Sequence, residues 1–137
     1  MFNFFVLDHT ADVGILATGN TLREAFEGAA AGLFHIIAET KELHPFKHFT
    51  VKINGDNFEE LFIKCLNHLL FIHEVEKVLL CQFKIQELTE HKLEGTVSGE
   101  EIDLSRHEIK TYVKAATYHN LVVSPGDPAK VQVIFDV

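Results

Sequence analysis

Leu22, Ala25, Phe26, Ala29, Ala30, Leu33, Phe34 and Ile37 recur at spacings of three and four, and no other feature constrains the fold of this chain as tightly. The spacing predicts an amphipathic helix, and Thr21 with Glu24 (Thr-Leu-Arg-Glu) supplies a capping box for its start. Gly28, Ala29, Ala30, Ala31 and Gly32 give it a small-residue surface that can approach a sheet or another helix closely. Asp56 and Glu59 repeat the capping pattern before Leu61, Phe62, Cys65, Leu66, Leu69 and Leu70, which predict a second helix of similar length.

The rest of the chain reads as strands. Phe2, Phe4 and Val6 alternate, Val13 to Ala17 follow, and Phe49, Val51 and Ile53 form a third strand stopping at Asn54-Gly55. Beyond Glu76 come Val78 to Glu87, Lys92 to Ser98, a polar stretch around Glu100 to His107, Thr111 to Tyr118, and Lys130 to Val137. This order predicts an α+β fold: a largely antiparallel β-sheet with two main amphipathic helices packed on it. With 137 residues, 47% of them hydrophobic, residues 1–137 are expected to form a single domain with one core. No glycine-rich phosphate loop opens either helix, which disfavours a dinucleotide or P-loop fold.

Charge and cysteine usage narrow the function classes. Twelve Lys and Arg against 20 Asp and Glu leave a net charge of -8, so the average surface repels phosphate backbones and direct nucleic-acid binding is not expected. Cys65 and Cys81 form no CxxC pair and sit in apolar runs, as buried free thiols in a reducing cytoplasm would. No leader-like segment and no apolar run near the roughly 18 to 20 residues of a membrane span is present, so a soluble, cytoplasmic protein is expected.

Nine histidines invite a zinc reading that their spacing does not support. His44 and His48 are separated by Pro45, which breaks a helical face, while His68 and His73 are five apart on the second helix. His107 and His119 are expected in turns or at strand edges. Ser98, Ser105 and Ser124 lie in polar turns without a nucleophile elbow. The carboxylates are more informative. Asp12 starts the second strand, and in the final "KVQVIFDV" the residues Val131, Val133 and Phe135 share one face while Gln132, Ile134 and Asp136 share the other. Val137 adds its α-carboxylate. Asp12, Asp136 and Val137 together would make an oxygen-rich site, costly without a cation and suited to a hard divalent ion such as calcium. Aspartates in turns and at chain ends are more often simply solvated, so spacing alone leaves both readings open. Lys110 and Lys114 are four apart, and on a strand they would form a small basic stripe, either solvated or in contact with an anion.

"DHTADVGI" with "GNTLREAFEGAAAGLF", "GEEIDLSRHEIKTYVKAATYH" and the terminal "VIFDV" resemble the archease family from end to end. The resemblance implies a cytoplasmic protein cofactor of an RtcB-type RNA ligase, which joins RNA ends in tRNA splicing and repair through a histidine-guanylate intermediate. GTP and manganese belong to that partner ligase. The archease promotes its guanylylation and multiple turnover, broadens its nucleotide use, and is not itself known to catalyse ligation. The family's calcium ligands fall on Asp12, Asp136 and Val137, and its conspicuous lysine falls on Lys114, implying a partner contact. Asp8 and His9 would hold supporting or partner-facing roles. Ala116 and Asn120 stand where many members have Val and Gly, which bears on the chain path after Tyr118. Two other classes remain: a metal-dependent hydrolase with His9 as its local general base, and a chaperone or modulator of RNA-modifying enzymes.

Overall fold

Helix α1 (Leu22–Ile37) starts as its capping box predicts: Thr21 Oγ1 accepts the Glu24 N–H at 3.2 Å, and Glu24 Oε1 accepts the Asn20 N–H at 3.2 Å. These and the contacts below come from a computed structural model that describes residues 1–8 and 12–137, apart from the Asp8 side chain. Buried residues surround α1 on nearly every side, from Leu22, Ala25 and Phe26 to Ala30, Phe34 and Ile36. A helix apolar all round must be covered all round.

Two sheets provide that cover. Strands β1 (Phe2–Asp8), β2 (Asp12–Gly19), β7 (Ala129–Asp136) and β6 (Ala115–Ser124) lie in the order β1-β2-β7-β6. Strands β3 (Lys47–Asn54), β5 (Lys92–Glu101) and β4 (Val78–Leu88) form a second sheet in the order β3-β5-β4. Every pairing between these strands is antiparallel. Helix α1 touches β1, β2 and β7 of the first sheet and β4 of the second, while α2 (Phe58–Glu76) touches β6 and all three strands of the second. The helices are thus a middle layer, with the rings of Phe26 and Phe62 4.7 Å apart inside one continuous core. The α+β class and the antiparallel pairing agree with the sequence reading, but the expected sheet is divided in two.

Close approach explains the small residues of α1. A Cβ at Gly32 would lie 2.5 Å from Ile15 Cδ1, and one at Gly28 3.1 Å from Phe2 Cβ. The second helix begins one residue later than predicted. Asn57, with extended backbone, accepts the Glu60 N–H at 2.8 Å, and Glu60 Oε1 accepts the Asp56 N–H at 3.3 Å, so the cap is Asn57 with Glu60 rather than Asp56 with Glu59. The helix closes on Lys77 in the left-handed region at φ 54.

A second correction concerns Thr111 to Tyr118. Strand β6 starts only at Ala115, and residues 102–114 form a strap across one end of the molecule. The strap is pinned by backbone bonds: Ile109 bridges Ala38, the Lys110 N–H reaches the Ile37 carbonyl at 2.7 Å, and the Lys114 N–H reaches the Asp136 carbonyl at 2.8 Å. The Lys110 backbone is therefore held at the C-terminal end of α1, outside any strand, while the Lys110 and Lys114 side chains are both exposed. Later in β6 the register with β7 shifts between Thr117 and Val122, and Asn120 takes φ 52. Asparagine tolerates that left-handed conformation, as glycine does.

Candidate metal centre

The register of β2 against β7 places Asp12 directly opposite Asp136. Side chains opposite each other in an antiparallel pair lie on one face, with Cβ atoms about 4.5–5.5 Å apart. That face is the one turned away from the helices. Val13, Ile15 and Ala17 oppose Phe135, Val133 and Val131 on the buried side, while Gly14 opposes Ile134 on the outer one. Ile134 is buried even there, because it lies over Gly14; a Cβ at that glycine would sit 2.7 Å from Ile134 Cδ1. Asp136 is exposed, as its place in the alternation predicts.

Asp12 is the first residue of β2 and pairs with Asp136 of β7, while the pairing of β2 with β1 begins at Val13, opposite Asp8. Its Oδ1 is buried and has no hydrogen-bond partner among the described residues. An unpaired buried carboxylate oxygen is costly, and an opposing carboxylate raises the cost. A hard cation would relieve both, and the oxygen donors present suit one that prefers carboxylates. Among the described residues no three His, Cys, Asp or Glu side chains converge on a metal-sized site. The side-chain donors at this sheet end are Asp12 and Asp136, followed at once by Val137. Lys114 is exposed beside Asp136 through its backbone bond. His9 and the side chain of Asp8 fall outside the described residues; the Asp8 backbone pairs with Val13.

Residues 4–137 match the Archease protein family (MTH1598/TM1083). The chain belongs to the archease family. The protein archease of Sulfurisphaera tokodaii is 39% identical over 126 residues, covering 89% of this chain and 87% of that one. The solution structure of Methanobacterium thermoautotrophicum protein 1598 superposes with a TM-score of 0.79 at 35% identity, covering 99% of this chain and 98% of that chain. A Thermotoga maritima crystal structure, described as an archease and possible chaperone, shares the fold with a TM-score of 0.61 at 21% identity, over 96% of this chain and 94% of that one.

The other titratable groups have structural settings. His68 stacks on Phe71, and His73 Nδ1 donates to the Val78 carbonyl at 2.7 Å. Burial pushes the Cys65 thiol up to about 12, and burial followed by the charge of Glu100 raises that of Cys81, so neither is primed as a nucleophile. His107 closes a turn, as expected, with its N–H on the Asp103 carbonyl at 2.7 Å, and its ring is largely buried. Its Nδ1 accepts the Asp103 N–H at 2.9 Å, which puts the proton on Nε2, 3.5 Å from Glu100 Oε1. Glu100, 4% exposed, also accepts from Arg106 Nη2 at 3.0 Å and from the His44 N–H at 3.3 Å. Burial alone would raise the Glu100 carboxyl, but the Arg106 and His44 hydrogen bonds and the charge of Arg106 leave it below the usual range. Sequence reasoning passed over this cluster as a polar stretch. Its one signal was Glu100 in phase with Ser98, on a strand continuing past the predicted end at Ser98.

Proposed function

We propose that this protein is a protein activator of an RtcB-type RNA ligase in tRNA splicing and RNA repair. It acts in the cytoplasm, promoting ligase guanylylation and multiple turnover without catalysing ligation itself. Family membership supports the reading, and the observation that carries it is the in-register pair Asp12 and Asp136, with an Asp12 oxygen that has no partner among the described residues.

Asp12, Asp136 and the carboxylate of Val137 are the proposed ligands of a calcium ion. When bound, the ion supplies positive charge at a sheet end and leaves ligand positions that water or the partner can fill. The chain's own contribution is positional. Pairing with β7 holds Asp12, β7 carries Asp136 between β2 and β6, and the strap brings Lys114 to the same end.

Guanylylation of a cognate RtcB-type ligase, followed with labelled GTP, tests the reading. Wild-type protein should accelerate it, and folded Asp12→Ala or Asp136→Ala should fall to the rate of ligase alone. Full stimulation by either variant would overturn the metal-centred account.

A further inference from the structure

Strand β6 ends the first sheet, so its outer edge has no neighbouring strand to take its backbone N–H and C=O groups. At Ala116, the second residue of β6, both groups turn to that edge, and a single side chain of α2 takes them. The Ala116 N–H donates to Asn67 Oδ1 at 2.8 Å, and Asn67 Nδ2 donates to the Ala116 carbonyl at 3.4 Å. A carboxamide carries an acceptor and a donor side by side, so it offers one residue what a neighbouring strand would. Asn67 is half-buried and Ala116 is buried, which shields the pair from competing water. The neighbours of Asn67 on α2 include the core residues Leu66, Leu69 and Leu70, and an amide beside them is costly unless it is bonded.

This clamp lies one residue from the Asp12–Asp136 pair. Ala115 pairs with Asp136 and Ala116 with Phe135, while Thr117 Oγ1 donates to the Ile134 carbonyl at 2.8 Å. Upstream of Ala115 the chain leaves the sheet as the strap, so the start of β6 is a strand end, the kind of segment that opens first. We infer that Asn67 is a positioning residue of the Asp12–Asp136 centre: by holding the start of β6 it keeps Asp136 in register opposite Asp12, so that a cation meets carboxylates already in place. The inference rests on the calcium reading and adds the residue that preorganises the site. A binding-competent arrangement that is only partly populated weakens apparent affinity by that fraction, and a clamp that raises the fraction raises affinity without touching the ion. Linkage makes the effect reciprocal, so calcium should tighten the clamp that favours it.

The test is calcium affinity of the full-length protein by calorimetry, with thermal melting in chelator and amide hydrogen exchange by NMR recorded beside it. Asn67→Ala should weaken calcium binding roughly tenfold and speed exchange at the Lys114 amide as well as at Ala116. Two controls on α2 separate this from a general loss of stability. Asn57→Ala at the helix start and Leu70→Ala in the core beside Leu33 and Leu79 should melt lower yet bind calcium within about twofold of wild type. The wild-type protein supplies a measurement that needs no variant: calcium should slow exchange of the Ala116 amide about fivefold or more. Wild-type calcium affinity in Asn67→Ala, an equal loss in Leu70→Ala, or Ala116 exchange indifferent to calcium would each overturn the positioning role alone. A wild-type protein that binds no calcium would overturn the calcium reading and the positioning role with it.

Discussion

Under the proposed calcium reading, Asp12 should make opposite contributions to stability with and without a bound ion. Without one, it sets a carboxylate against Asp136 in register, an arrangement that costs on the order of 0.5 kcal/mol. Asp12→Asn should therefore melt slightly higher than wild type in chelator and lose the upward shift that calcium gives the wild type. Thermal melts with and without calcium check this; a variant that melts lower in chelator and still responds to calcium would contradict it. For Val137, appending residues turns the carboxylate into an amide and should weaken calcium binding by calorimetry, and unchanged affinity would remove Val137 from the ligand set. Glu100 gives a pH prediction. Its folded carboxyl lies below the usual range, so its stabilising contribution is full above that range and is lost as pH falls through it toward the folded value. Glu100→Gln should lower stability near neutral pH by roughly 2 kcal/mol and flatten the decline on the acid side of the usual carboxylate range. An unchanged acid profile in denaturant titrations would show that the cluster does not stabilise the strap.

Among the elements, the start of α2 separates two frames one residue apart. Asn57→Ala should cost about 1 kcal/mol of stability and Asp56→Ala far less, because Asn57 accepts the Glu60 N–H. The reverse order in denaturant unfolding would restore the Asp56 frame. Both frames were legible because Asp, Asn and Glu residues overlap there, and local pattern has no means of ranking them. The α1 boundaries and the face-sharing of Val131, Val133 and Phe135 were legible because each is set by neighbours in sequence. Strand β6 was not: "TYVK" alternates as a strand would, yet its first residues are bound to the Ile37 and Asp136 carbonyls, far along the chain. The same limit applied to Glu100, whose partners His44, Arg106 and His107 lie in loops read only as polar. The division of the sheet also depended on distant contacts, although the nearly all-round apolar surface of α1 signalled it.

At the scale of the whole molecule, two sheets enclose the helices and leave Asp12, Asp136, Val137 and Lys114 gathered at one sheet end. Family resemblance and strand register point to that end from independent directions, the first through motifs at both ends of the chain and the second through their antiparallel pairing. The outer-face position suits a partner better than an enclosed substrate, since Asp136, Lys114 and Tyr112 are all open to solvent. The most direct measurement is multiple-turnover ligation by a cognate RtcB-type ligase, with RNA in large excess, with and without this protein. The account predicts repeated turnover with wild-type protein and calcium, and a halt near one turnover without the protein or with Asp12→Ala. Equal product in its presence and absence would contradict the account.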